Sequence, residues 1–255
     1  MKRILSSLII AAALLAGLAS CNNEKPFSIH GRFDVPDSLH QHLAELDGEL
    51  LYLIDIRGER LDSTEMLDGE FAFEGTVGEP YFAYVAGSYD VLSMIVIEPG
   101  DIRITLGLEE NAVTGTPSNE GITRLEAAIA RLRLEAMEQI EALGIYSDDA
   151  EPDETAQEAA MQVYMGLMAR TYEVFDSTAN AHPEDLVGVY AANALTSDAA
   201  TPEALEEAIE GYSDYIRSSE LFEVRLEYLR ELNSGAGSFD FEDFEDYGED
   251  SEPEE

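Results

Sequence analysis

The segment that decides the fold is Asp68-Gly69-Glu70-Phe71-Ala72-Phe73-Glu74-Gly75-Thr76-Val77. Asp-Gly is a strong signal for a two-residue β-hairpin turn, because both residues tolerate the positive φ angles that such a turn requires. After this pair, Phe71, Phe73 and Val77 are separated by polar or small side chains. Successive side chains of a strand point to opposite faces, so this alternation predicts a β-strand with one buried face.

Short apolar runs between turn residues continue in both directions, from Phe27 to Thr116. The turn pairs recur at a spacing typical of antiparallel sandwiches and barrels. Strands are predicted over residues 28–33, 49–56, 60–66, 70–77, 81–85, 91–98, 101–106 and 112–115. We therefore expect an antiparallel β-sandwich or barrel-like domain over residues 27–117.

From Pro117 onward the apolar side chains recur every three or four residues, which predicts helices. Ser118 or Asn119 is expected to cap the first helix, and Gly144 to end it. The stripe of this helix comprises Ile122, Leu125, Ile129, Leu132, Ala136, Ile140 and Leu143. The stripe of the second helix comprises Ala159, Val163, Leu167, Thr171 and Val174. The later helices are predicted over residues 155–175, 183–195, 201–216 and 221–232. Residues 118–233 are thus expected to form an all-helical domain, which makes the fold class α+β.

The last segment, residues 234–255, is an acidic tail. From Phe239 onward it contains ten acidic residues and no basic residue. Because these carboxylates repel one another, we expect the tail to be extended and disordered.

The N-terminus predicts export from the cytoplasm. Lys2 and Arg3 precede an apolar run that is too short to span a bilayer, and small residues then lead to Cys21. Leu18-Ala19-Ser20-Cys21 resembles a bacterial lipobox, in which the cysteine thiol is acylated before cleavage. We therefore expect a lipoprotein signal peptide over residues 1–20, a lipidated linker over 21–26, and attachment to the membrane by diacylglycerol and an N-linked acyl chain such as palmitate at Cys21.

Composition excludes several classes of function. The chain has 54 acidic and 14 basic residues, a formal net charge of −40, which argues against binding to nucleic acid. Cys21 is the only cysteine, so the sequence offers no disulfide, no CxxC pair and no cysteine metal site.

The β half resembles domain of unknown function 4369, an N-terminal domain common in Bacteroidetes lipoproteins. The residues that carry the resemblance are Gly31, Leu61-Asp62-Ser63, Asp68 to Gly75, Ile97-Glu98-Pro99-Gly100-Asp101-Ile102, and Val113-Thr114-Gly115-Thr116-Pro117-Ser118-Asn119. The resemblance implies an envelope location and this fold. In that family a helical segment and then a thioredoxin-like domain usually follow. That domain is lacking here, so the resemblance does not imply redox activity.

Residues that could carry chemistry are scattered along the chain. His40 and His42 are near each other but have no third metal ligand at a fixed spacing, so we predict no metal site. Asp55, Asp62, Glu98 and Asp101 stand at strand ends, where acidic side chains also serve in turns and caps. No nucleophile elbow, phosphate loop or zincin motif is present. We therefore predict no catalytic residue, no cofactor and no enzymatic activity.

One strand and its turn contain the aromatic residues Tyr81, Phe82, Tyr84 and Tyr89. An exposed row of aromatic rings would suit a glycan or a peptide. The alternative is that these side chains divide between the two faces of the sheet.

Three functional hypotheses follow. The first is a non-catalytic envelope lipoprotein, on the periplasmic face of the outer membrane rather than the cell surface, which presents its β domain and helices to a protein partner or to a second copy. The second is a glycan- or peptide-binding module of an uptake system. The third is a degenerate thioredoxin-family lipoprotein that has lost its redox domain.

Overall fold

Eight β-strands occupy the N-terminal half of the protein, close to the predicted positions. The computed structural model describes residues 24–39, 46–88, 90–108, 111–144 and 154–234. The strands are β1 (Lys25–Asp34), β2 (Leu50–Asp55), β3 (Arg60–Glu65), β4 (Glu70–Val77), β5 (Tyr81–Ala86), β6 (Val91–Ile97), β7 (Gly100–Gly107) and β8 (Asn111–Thr114). A 3-10 turn, Asp37–Leu39, follows β1.

The strands form two four-stranded sheets, in the orders β4-β1-β7-β8 and β3-β2-β5-β6. All strand pairs are antiparallel except β1 with β7, which run parallel with Phe27 opposite Gly100. Parallel neighbours need a long connection. Here the connection between β1 and β7 contains the whole second sheet and β4. The predicted α+β class and sandwich are confirmed, with one parallel pair that the sequence pattern did not indicate.

The predicted hairpin turn lies at Asp68 and Gly69. Both residues have positive φ, 53° and 74°. In β4, Phe71, Phe73 and Val77 are buried while Glu70, Ala72 and Glu74 are exposed, as the alternation predicted. Phe71 lies across Gly31 of β1, its partner in the register, and a Cβ atom at Gly31 would approach the ring to 1.9 Å. The β4 aromatic side chain therefore requires a glycine opposite it.

The core between the two sheets is almost entirely aliphatic and aromatic. Its most buried members include Ile29, Val85, Ile95, Ile97, Ile102 and Ile104, together with Phe71 and Phe73. Burial of this apolar area is the main favourable contribution to the stability of the sandwich.

Six helices follow the strands: α1 (Pro117–Ala142), α2 (Glu154–Ala181), α3 (Leu186–Leu195), α4 (Pro202–Ile209), α5 (Asp214–Arg217) and α6 (Glu220–Ser234). The single helix predicted over residues 201–216 is wrong, because the chain divides it into α4 and α5. Ser213 starts α5 by accepting a hydrogen bond from the backbone N–H of Ile216. A serine is favoured at such a cap over a helix interior, and this preference ends α4 early.

The helices cover the outer face of the β3-β2-β5-β6 sheet. Phe82 and Val96, from β5 and β6, share one buried cluster with Leu125 and Ile129 of α1 and Phe222 of α6. Strands β5 and β6 are thus largely buried on both faces, whereas the edge strand β3 is exposed. None of the helices in the described part of the chain is long and apolar enough to cross a membrane.

Candidate interaction surface

The start of α1 lies along one edge of each sheet, at β6 and at β8. Strand β6 is at the edge of one sheet and β8 at the edge of the other, so each leaves backbone groups without a partner strand. The Asn119 side chain accepts a hydrogen bond from the N–H of Val96 (2.9 Å) and donates one to its C=O (2.8 Å). One turn later, the Thr123 hydroxyl accepts from the N–H of Val113 (3.0 Å) and donates to its C=O (2.7 Å). Two side chains of one helix therefore satisfy the outward backbone N–H and C=O groups of one residue at each edge, as a neighbouring strand would.

The N-terminus of α1 is not capped as predicted. Thr116 occupies the cap position, but its side chain accepts no hydrogen bond from the backbone of the helix. Its hydroxyl accepts one from the side chain of Asn119 instead. The carboxylate of Glu98 accepts from both the N–H and the hydroxyl of Ser118. An acid from the β6–β7 turn thus provides the negative charge that a helix N-terminus favours. The prediction of Ser118 or Asn119 as the cap is wrong because both side chains bond to the sheet domain.

Two half-buried tyrosines hold the base of α1 and α2 in place. The hydroxyl of Tyr190 in α3 donates to Glu126 of α1 (2.8 Å), and that of Tyr212 donates to Asp176 of α2 (3.0 Å). Burial and the adjacent carboxylates raise the pKa of both tyrosines well above the ordinary value. Both hydroxyls therefore stay protonated, and remain donors, at physiological pH.

Beyond this base, α1 and α2 project as a two-helix hairpin. No residue of α2 before Phe175 is buried, and in α1 the only buried residue after Ile129 is Ala136. The facing sides of the two helices leave a gap of about 590 Å³, lined by Leu132, Leu143, Val163 and Leu167 among others. Arg170 donates to Glu135 across it (3.0 Å). The part of the hairpin beyond its base therefore has few buried side chains among the described residues.

The outward side of α2 is apolar and uncovered. Met161, Tyr164, Met165, Met168 and Tyr172, which we call the outer stripe, are between 51% and 61% exposed. Three of the seven methionines of the chain lie here. Clustered exposed apolar side chains indicate an interaction surface, and methionine is common on surfaces that adapt to a partner.

The outer stripe continues a row that is buried farther along the same helix. Met161, Met165, Met168, Tyr172, Phe175 and Ala179 are separated alternately by four and three residues. Phe175 and Ala179 are 8% and 0% exposed, within the cluster that contains α3. Such spacing places side chains on one seam for a neighbouring helix. One end of this seam is thus buried in the helical cluster, whereas the outer stripe is exposed among the described residues.

The outer stripe was not predicted from the helical periodicity. The predicted stripe of α2 is real, since Ala159, Val163 and Leu167 face α1 across the gap. A helix with apolar rows on two sides has a helical neighbour on each or an open surface. The second row, with its four-three spacing, was the signal that could have revealed it.

The aromatic residues of β5 do not form one platform. Phe82 is 3% exposed and packs in the helical cluster, whereas Tyr81 packs at the margin of the core between the sheets. Tyr84 is half-buried, and burial raises its pKa. Adjacent residues of a strand point to opposite faces, and the helices cover one of them, so the platform hypothesis is wrong for these three residues. Tyr89 lies outside the described residues.

The acidic residues at strand ends have local partners. Asp55 accepts from the N–H groups of Arg57 and Glu59 in its turn, and Asp62 accepts from that of Ser63. Asp101 contacts Ser28 and His30 on the neighbouring strand β1, and Arg103 on its own strand. Within the described ranges, no group of three or more His, Cys, Asp or Glu is arranged to hold a metal ion. Cys21, His40, His42 and the tail from Phe239 lie outside those ranges.

A mixed β-sandwich, with a helical module packed on one sheet and along one edge of each sheet, defines the class of this protein, α+β. Residues 27–121 match the protein family described as Domain of unknown function (DUF4369), so the sandwich and the first turn of α1 form a domain of that family. This confirms the resemblance for the N-terminal domain. The matched range ends just after Asn119, the residue that closes β6. No curated protein and no solved structure matches the chain.

Proposed function

We propose that this protein is a non-catalytic, lipid-anchored envelope protein that uses the outer stripe of α2 to bind a helical segment of a protein partner. The observation that carries the proposal is the exposed part of the helical seam, Met161 to Tyr172. The next two positions of the same seam, Phe175 and Ala179, are buried in the cluster to which α3 contributes. The DUF4369 sandwich serves as the rigid body from which the hairpin projects. Its helix-covered β5 gives no support to glycan binding.

The charge distribution supports a partner that contacts the stripe through uncharged side chains. The chain carries a net charge of −40, yet positions beside the stripe are uncharged: Gln162, Ala169 and Thr171. A neutral apolar strip on a strongly acidic protein allows close contact without burying unpaired carboxylates.

The proposed anchor depends on the thiol of Cys21. Cys21→Ala is expected to abolish incorporation of labelled palmitate and to leave an uncleaved precursor or an unanchored product, because alanine offers no atom for the acyl-bearing thioether. Ser20→Ala is the matched control, since it keeps a small residue beside the cleavage site and should still be labelled. The measurement is autoradiography of the immunoprecipitated protein. Label on the Cys21→Ala variant would contradict the lipobox.

The proposed docking surface can be tested in intact cells. A photoreactive phenylalanine analogue at Tyr172, which is 60% exposed on the outer stripe, should form a discrete cross-linked product on illumination. The same analogue at Met137, which is 66% exposed on α1 away from the stripe, should form little. The measurement is an immunoblot of the envelope fraction. Equal products at both positions, or none at Tyr172, would reject the stripe as a docking surface.

A further inference from the structure

We infer that the outer stripe binds the outer stripe of a second copy of this chain, so that two α2 helices meet around Met165 and Met168. This inference rests on the proposed function, because it names the helical partner of the same surface. The two central methionines are 60% and 51% exposed, and both precede Phe175, the first buried residue of α2.

The spacing of the seam specifies a helix as the occupant. A repeat of 3.5 residues keeps a row of side chains facing one neighbouring helix, whereas an irregular apolar patch would not require this regularity. The row obeys the repeat over six positions, from Met161 to Ala179. The last two positions, Phe175 and Ala179, are buried in a cluster formed mostly by helical residues, those of α3 among them.

The distribution of charge along α2 favours a second copy over a basic partner. A copy of this chain carries a net charge of −40, so two copies repel each other wherever acidic surfaces meet. Residues 159–172 form the longest stretch without an acidic residue after Glu24, bounded by Glu158 and Glu173. Its one charged residue, Arg170, faces Glu135 of α1. A basic partner would be matched by acidic flanking residues, whereas self-pairing requires neutral ones, which the stripe has.

The side chains suit a symmetric contact. In a two-fold pair each residue meets the same surface of the other copy, so the interface has to complement itself. Unbranched methionines adjust their rotamers to one another, and the two tyrosines keep their hydroxyls at the margin in water. Tyr164 and Tyr172 are 51% and 60% exposed, which leaves their rings free to cover the methionines of the other copy.

The test is sedimentation velocity of the full mature chain carrying Cys21→Ala, which removes the lipid but no described residue. The parent should sediment as a dimer at tens of micromolar. Met165→Glu with Met168→Glu should raise the dimer dissociation constant by at least about 100-fold, because carboxylates would be buried without partners. Leu134→Glu with Met137→Glu is the matched control, since these side chains are also exposed and three residues apart on the same hairpin. The control should remain dimeric, and circular dichroism should show that all three proteins are folded.

The outcomes separate this inference from the proposed function. A parent that is monomeric at about 100 μM, or a control that dissociates as readily as the stripe variant, overturns the dimer. If the photoreactive residue at Tyr172 then captures a different protein, the proposed function stands and the inference of a second copy fails. If that residue captures nothing, both fail. A cross-linked product containing two copies of the chain, lost in the Met165→Glu and Met168→Glu variant, supports both.

Discussion

Asn119→Leu is expected to lower the free energy of unfolding by about 3 kcal/mol, the cost of leaving two backbone groups of Val96 without partners in a buried setting. Asn119 is 2% exposed and makes three hydrogen bonds, two of them to the β6 edge. Leucine has a similar volume, so the loss reports the hydrogen bonds rather than a cavity. The measurement is urea unfolding followed by circular dichroism, with an unchanged m value.

Asn180→Leu is the matched control for this change. Asn180 is exposed, and its side chain donates to Asp176 within the same helix. Its replacement should cost less than about 0.5 kcal/mol, as is usual for surface substitutions. A loss below about 1 kcal/mol for Asn119→Leu would show that the β6 edge is satisfied without this side chain.

Gly115→Ala is expected to lower the free energy of unfolding by at least about 3 kcal/mol, because it combines backbone strain with a steric collision. Gly115 connects β8 to α1 and has φ +92°, and a Cβ atom there would lie 2.0 Å from the carbonyl oxygen of Asp101. That oxygen belongs to the backbone of β7, so relief requires movement of the strand or of α1. The measurement is again urea unfolding.

Gly58→Ala separates the two causes. Gly58 has nearly the same conformation, φ +86°, but a Cβ atom there would have nothing within 4 Å. It should cost about 1 kcal/mol, from the left-handed conformation alone. Equal losses for the two variants would mean that the close approach to Asp101 does not matter, and that α1 is held at the sandwich by its side-chain contacts alone.

Local patterns predicted most of the secondary structure because each element contains its own signal. Asp68-Gly69 produced the expected turn, and the alternation in β4 produced the expected buried and exposed faces. The helix over residues 201–216 failed for a local reason too, since Ser213 starts a new helix where the apolar spacing would have allowed the first to continue. The parallel pairing of β1 with β7 has no local signal, because it depends on which strands meet across a long connection.

The interaction surface was harder to predict than the fold. The row Met161, Met165, Met168 and Tyr172 is visible in the sequence, yet nothing in it distinguishes an exposed seam from a core stripe. Only the tertiary structure shows which part is exposed. Phe175 and Ala179 are buried in the cluster that contains α3, whereas the residues from Met161 to Tyr172 in this row are exposed. The aromatic residues of β5 illustrate the opposite case, since a strand that could have been open on one face is covered by helices.

The sequence by itself determined the α+β class, the positions of the strands, the inner stripes of α1 and α2, and the strong acidity of the surface, because alternation, helical period and charge are properties of neighbouring residues. The tertiary structure decided how the elements join. It used Asn119 and Thr123 of α1 to close β6 and β8, although either side chain could equally have capped a helix or faced water. It also decided that the outer stripe stays exposed among the described residues. Both outcomes depend on contacts between residues far apart in the chain, where the partner that satisfies a buried backbone group or an apolar face is set by the packing of the whole molecule.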